Sequence, residues 1–439
     1  MGVVVLIALV LLGAMTLPQR PRLLGGLLVA SMFVTRPALD VAGANIRLEV
    51  VIGLICAVAL VGDLLRRREQ GAARSMPLAS WVSLSLVAAW LVGVGLASAF
   101  NSPEPASSFS VLIWCAVNVL SAVWVAQHSE TWQTIVKVGV AVNLLCGGLA
   151  IALWSLATFA GVADIGVQID PAYGGYASYV AALEANILAG LLCLWGLVAV
   201  WNPRRLISAP LRYLSIILTP IALFTTHTRA ALVAYCVGLI LAAVFRPQSR
   251  RLIVASALLA IPAVPVLLTS GDVGFSKFLD LFDTTTGTGG LRERVNAGAF
   301  NEWLASGQLF PGLGFNSFGQ RNYDLTRPEL ALPGYIGNLP LQIVYDGGLL
   351  ALALVAVSAA LTVYRLVSRR RLGLVLTFAV PYLLFSVATS ALWFLETWLF
   401  VGLAWGICRE RPRPVEKQPI ERSITSSDYA GRFTEKRSS

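Results

Sequence analysis

The chain has 439 residues, of which 57% are hydrophobic and only 13% charged, and its mean hydropathy is +0.74. That composition excludes an ordinary soluble domain and points to an integral membrane protein. A formal net charge of +10 invites a nucleic-acid partner, but the arginines cluster between apolar runs, where membrane orientation places them, so no nucleic acid is expected.

The apolar runs reach about 17 to 25 residues, the length a helix needs to cross a hydrocarbon core. Barrel strands would be shorter and would alternate in polarity. In chain order, spans are predicted near 2–17, 23–35, 48–65, 78–98, 108–126, 135–159, 183–201, 213–225, 230–246, 252–269, 339–364, 372–388 and 392–408. The first two are short, so the expected count is 12 or 13. The run at 2–17 lacks the basic start of a signal peptide and is kept as a span. The expected fold class is therefore an all-α polytopic membrane protein. Transmembrane helices occupy 1–269 and 339–408, a large extracytoplasmic loop 270–338, and a charged, Ser-rich, disordered cytoplasmic tail 409–439. The cysteines at 56, 115, 146, 193, 236 and 408 fall in the spans without CxxC spacing and give no disulfide or metal signal.

Alternate loops differ in arginine content. "RRRE" (Arg66 to Glu69), "NPRRL" (Asn202 to Leu206) with Arg212, "RPQSRR" (Arg246 to Arg251), "RLVSRRR" (Arg365 to Arg371) and "CRERPRP" (Cys408 to Pro414) all land on one side. That side is expected to be the cytoplasm. The opposite side receives the connection from about 270 to 338, far longer than the other loops, and long loops of this kind commonly carry function.

Within it, "GGLRERVNAGAFNEWLASGQLFPGLGFNSFG" (Gly289 to Gly319) follows a Gly/Thr-rich lead-in. Val295, Ala299, Trp303 and Leu304 recur at helical spacing, which predicts an amphipathic helix of about four turns lying at the membrane surface. Pro311, Gly312 and Gly314 end it. Arg292 and Arg294 are expected at the start of that helix, where the dipole and the open N–H groups already favour an anion. Contact with lipid headgroups, or pairing with Glu293 and Glu302, is the simpler alternative. Arg229, in "FTTHTRAALVAY", sits at the turn between two spans, where a charge normally faces the protein interior or a watery cavity. Positive charge from two elements matches a pyrophosphate.

Four segments resemble the bacterial O-antigen ligase and polymerase superfamily. "LEANILAGLL" (Leu183 to Leu192) is similar to the start of that family's central span. "THTRAAL" (Thr226 to Leu232) resembles its Ser-Arg-small-small element, with Thr228 for serine and Arg229 as the arginine. Arg294 with the following helix and "PGLGFNSFG" (Pro311 to Gly319) match at the family spacing, which singles out Arg294 over Arg292. "GNLPLQIVYDGGLLALAL" (Gly337 to Leu354) is similar to the segment that closes the long loop, with Asn338, Leu341, Gln342 and Gly348 fitting and Gly337 where the family has histidine.

The resemblance implies a GT-C-like membrane glycosyltransferase at the outer face of the bacterial inner membrane. Its donor would be a polyprenyl-pyrophosphate-linked glycan and its acceptor a glycan or glycolipid, with inversion at the anomeric carbon. Arginines aimed at the departing pyrophosphate would be electrostatic catalysts. Arg229 and Arg294 come first, with Arg292 and Arg321 behind them. No Asp-x-Asp pair or histidine cluster is present outside the spans, so neither metal nor other cofactor is expected. With the histidine missing, Glu184, Asp346, His227 and Asp324 are the candidates to activate the acceptor; Glu184 and Asp346 lead, and His128 falls on the wrong side. Asn186, Asn338 and Gln342 are expected to bind substrate. Trp303, Tyr323 and Tyr335 could stack on sugars. A transporter of the same lipid-linked glycan would carry mid-span charge and repeated halves. A catalytically inactive assembly partner is the other alternative.

Overall fold

The structure is a computed structural model that describes residues 12–13, 16–41, 44–69, 78–163, 165–169, 175–260, 287–322 and 336–409. Most of the run at 2–17, the loop portions 261–286 and 323–335, and the tail beyond Arg409 lie outside the described residues. The described residues fall in one compact unit, Met1–Arg409.

The elements follow the hydropathy. The helices are α1 (Pro21–Ser31), α2 (Leu48–Glu69), α3 (Leu78–Asn101), α4 (Pro105–Gln127), α5 (Trp132–Ala160), α6 (Ala185–Trp201), α7 (Ala209–Thr225), α8 (Arg229–Phe245) and α9 (Pro247–Ala260). The long loop contributes α10 (Gly287–Ala305) and the short α11 (Phe318–Arg321), and the chain then runs through α12 (Leu339–Ser368), α13 (Leu372–Ser386) and α14 (Leu395–Arg409). Stretches in α2, α3, α4, α12 and α5 with its preceding turn are long and apolar enough to cross a membrane; α1, α6, α7, α8, α13 and α14 are apolar but shorter. Two small antiparallel hairpins, β1 (Ala38–Val41) with β2 (Ala44–Arg47) and β3 (Val167–Ile169) with β4 (Tyr176–Ser178), stand where hydropathy marks only loops. Strands of three or four residues are too short to show in a hydropathy window.

At the centre is α6, buried without interruption from Ile187 to Val200. A helix that is apolar all round belongs inside a bundle, and α6 is enclosed by α5, α7, α8 and α13. Close approach is written into its glycines: a Cβ on Gly190 would lie 2.7 Å from the Phe385 ring and one on Gly196 2.8 Å from Thr219. Around this centre α12 packs along α3, α14 along α4, and α13 along α8.

Candidate active site

The site lies at the end of the bundle where α6, α8, α12 and α14 begin. Helices α6, α7 and α8 have 17 residues each, which at 1.5 Å per residue is about 25 Å, short of a hydrocarbon core of about 30 Å. Non-helical polar backbone at membrane depth is tolerated only when buried in protein or lining a cavity. Thr226, His227 and Thr228 meet that condition, being 2%, 3% and 3% exposed. His227 also adopts a left-handed φ of 54°, a conformation a non-glycine residue keeps only where its surroundings impose it.

This turn is tied to the central helix. The Thr228 hydroxyl donates to Asn186 Oδ1 at 3.1 Å, joining the first turns of α8 and α6. Glu184 is the extended residue before α6 and Arg229 the first residue of α8, and both are half-buried. Two helix N-termini therefore meet, one of them opening on an arginine, an arrangement suited to an anion.

The second half of the site is built from α10 and α12. Val295, Ala299 and Trp303 are buried together with Leu313, Phe318, Ile336, Val344 and Tyr345. The stripe follows 295, 299 and 303, so Leu304, turned about 100° further round, is 47% exposed instead of joining it. "PGLGFNSFG" lies directly on α12: Leu313 N–H donates to Tyr345 O at 2.7 Å and Gly314 N–H to Asp346 O at 3.0 Å. Helix α12 breaks at Gly348, with φ 69° and ψ −169°, and a Cβ there would collide with Phe310 O. Phe315 wedges between Trp90 and Trp393 at ring distances of 6.2 and 5.9 Å.

Two carboxylates hold this assembly. Asp346, 2% exposed, accepts from Asn316 N–H at 3.1 Å and from Gln342 Nε2 at 2.7 Å, so both its oxygens are occupied. Glu302 on α10 accepts from Tyr345 Oη at 2.9 Å and Asn322 Nδ2 at 2.7 Å, and lies 3.9 Å from Arg321. Arg321 also donates to Asn101 O. Asp346 and Arg321 thus brace the turn, and Glu302 pairs with Arg321 rather than with Arg292 or Arg294.

Between α10 and the start of α12 is an open, mostly apolar cleft of about 900 Å³, whose polar lining residues are Arg292, Glu293, Asn296, Trp303 and Asn338. The oxygen of Asn296 and the indole nitrogen of Trp303 are buried there without a partner among the described residues. Trp303 is 6% exposed and tilted against Phe300 at 5.9 Å, so its ring is largely core and its edge faces the cleft. Asn338 caps α12 by accepting from Leu341 N–H at 3.1 Å. Gln342 is buried and accepts from Ile336 N–H at 3.1 Å. Gly337 sits against Ala388 O, which a Cβ would approach to 3.3 Å.

The arginines of α10 stand differently from the sequence expectation. The helix begins at Gly287, so Arg292 and Arg294 lie in its second turn, beyond the open N–H groups of its first. They are about 200° apart around the axis: Arg292 is half-buried on the cleft, and Arg294 is exposed and does not line it. His128, at the opposite end of the bundle, accepts or donates at 2.9 Å with Asp63. Tyr323, Asp324 and Tyr335 lie outside the described residues. The sequence reading missed Asn296, whose helical phase with Arg292 and Trp303 was available to it. It weighed Glu302 only as a partner for Arg292 or Arg294.

Residues 214–356 match the family model described as O-antigen ligase. That segment of the chain is similar to the O-antigen ligases. The match bears out the superfamily resemblance and makes the molecule an O-antigen ligase-like multi-pass membrane protein. The matched segment runs from α7 into α12 and so contains Arg229, α10 and the turn clamped by Asp346 and Glu302; Glu184 and Asn186 on α6 lie before it, and Val387 and Ala388, which also line the cleft, lie after it. No curated protein matches the chain.

Proposed function

We propose that the O-antigen ligase-like chain is an inverting glycosyltransferase that moves a glycan from a polyprenyl pyrophosphate to an acceptor hydroxyl at the outer face of the bacterial inner membrane. The observation that carries this reading is the Thr228–Asn186 hydrogen bond. It sets the N-termini of α6 and α8, with Glu184 and Arg229, at one point, where a pyrophosphate finds two helix dipoles and a guanidinium.

In this reaction the acceptor oxygen attacks the anomeric carbon, the bond from that carbon to the pyrophosphate oxygen breaks, and the electron pair leaves with the polyprenyl pyrophosphate. Arg229 offsets the charge that grows on the leaving group, a kind of interaction worth about 3–4 kcal/mol when preorganised. Glu184 takes the proton from the acceptor hydroxyl; Asp346, with both oxygens bonded, positions the turn instead. The long loop forms the outer half of the site, and Arg292 and Asn338 hold the glycan and the outer phosphate. An apolar groove of about 350 Å³ between α3 and α12, lined by Trp90, Val94, Phe100 and Leu350, receives the first isoprene units.

The test is reconstitution of the purified chain with a polyprenyl-pyrophosphate oligosaccharide, following both glycosidic-bond formation and release of polyprenyl pyrophosphate. The parent releases the lipid and Arg229→Ala is slower by about 100- to 1,000-fold. Equal rates for both would remove Arg229 from the mechanism. Movement of lipid between leaflets with no bond made would establish a transporter.

A further inference from the structure

The opposite end of α6 carries a concentration of positive charge. Segments 201–212 and 245–252 contain Arg204, Arg205, Arg212, Arg246, Arg250 and Arg251 and no Asp or Glu. The fold gathers three of them at the C-terminus of the central helix. Arg212 donates to Val200 O at 2.9 Å and to Ser249 Oγ at 3.3 Å; Arg246 donates to Asn202 O at 2.9 Å and lies 5.2 Å over the Trp201 ring. Arg205 and Arg246 meet at one carbonyl, since Asn202 O accepts from the Arg205 backbone N–H at 3.1 Å as well as from the Arg246 guanidinium. The carbonyls satisfy only part of each guanidinium, and no ion pair involves Arg205, Arg212 or Arg246 among the described residues.

Backbone strain marks the same place. Asn202, Arg204 and Arg205 have φ of 47°, 52° and 57°, left-handed values that cost free energy at each non-glycine position. Beside the cluster, α7 turns Leu211, Leu214, Ile217 and Ile221 outward, each at least 40% exposed, in a stripe running from the charged end along the helix. Cations at a helix end continuous with a lipid-facing apolar stripe fit a molecule that joins a phosphate to acyl chains; a free phosphate or a nucleic acid would leave the stripe unused.

We propose that Arg205, Arg212 and Arg246 form a binding site for the phosphodiester of an anionic phospholipid in the leaflet at the arginine-rich end of the bundle. Basic pockets between membrane helices on the cytoplasmic side recognise such headgroups. The phosphate bridges the three guanidiniums that otherwise repel one another, and the acyl chains lie along α7. Because the site closes over the C-terminus of α6, its occupant fixes the helix whose other end carries Glu184 and Asn186.

The experiment is native mass spectrometry of the full chain in detergent with phosphatidylglycerol, and with phosphatidylcholine as the neutral probe. The parent is expected to retain phosphatidylglycerol selectively. Arg205→Gln and Arg246→Gln each weaken retention by about fivefold, whereas Arg371→Gln, in another arginine-rich loop, leaves it unchanged. Arg205 makes no side-chain hydrogen bond among the described residues, so that variant decides the matter should Arg246→Gln fail to fold. Equal retention by parent and Arg205→Gln would overturn the proposal. So would an equal loss in Arg371→Gln, which would mean diffuse surface charge, or displacement of the lipid by inorganic phosphate, which would mean a free-anion site.

Discussion

The two halves of the candidate site are held by opposite means. The floor, Glu184 to Asn186 and Thr226 to Arg229, is rooted in a central buried helix, with the Thr228 hydroxyl bonded to the Asn186 amide oxygen. The cleft stands on a surface helix, α10, whose lower face is apolar and whose position depends on Glu302, Asp346 and a glycine break in α12. A span cannot shift without repacking its neighbours, but a helix docked through a few polar clamps can. Under the proposed function, the floor is therefore suited to the pyrophosphate of the donor and the cleft to its glycan.

The largest expected effect separates the halves outright. Gly348→Ala places a methyl against Phe310 O in a left-handed backbone, a strain only local rearrangement can relieve. Glycan transfer should be lost, and limited proteolysis should cut within 287–322 while the helices around α6 stay protected. Protection of both regions with full activity would show that the turn does not need its seat on α12.

A smaller change loosens the cleft without removing it. Glu302→Ala leaves Tyr345, Asn322 and Arg321 without their shared acceptor, at a cost of about 1–3 kcal/mol. The donor KM should rise with kcat little changed, and Glu302→Gln, which still accepts hydrogen bonds, should recover much of the loss. A fall in kcat alone would place Glu302 in the chemistry.

The smallest effects compare two neighbours on one helix. Arg292→Ala should raise the donor KM by about tenfold, whereas Arg294→Ala, exposed and off the cleft, should change it by less than about twofold. The reverse order in steady-state kinetics would mean that α10 rotates when substrate binds.

Much of the bundle was legible because the bilayer demands apolar runs of fixed length: the run near 183–201 became α6 at Ala185–Trp201, and that near 372–388 became α13 at Leu372–Ser386. The site was legible to the level of segments. The choice between Arg292 and Arg294 was not, because distance to Pro311 carries no information on helical phase; the stripe of Val295, Ala299 and Trp303 does, and it puts Arg292 on the cleft. The clamp at Glu302 was out of reach for another reason. Its partners are 19 to 43 positions away, at Arg321, Asn322 and Tyr345, and only the folded turn brings them together. Asp346 has the composition of a catalytic acid and the surroundings of a brace, a distinction that only its hydrogen bonds reveal.

The central claim is that floor and cleft grip one donor, and a double-mutant cycle on kcat/KM for the lipid-linked substrate tests it most directly. If Arg229 and Arg292 act on the same pyrophosphate-linked glycan, Arg229→Ala with Arg292→Ala should lose less than the product of the two single losses, because the second change acts on a donor already misplaced. Losses that multiply in full would mean two independent sites and would contradict the account.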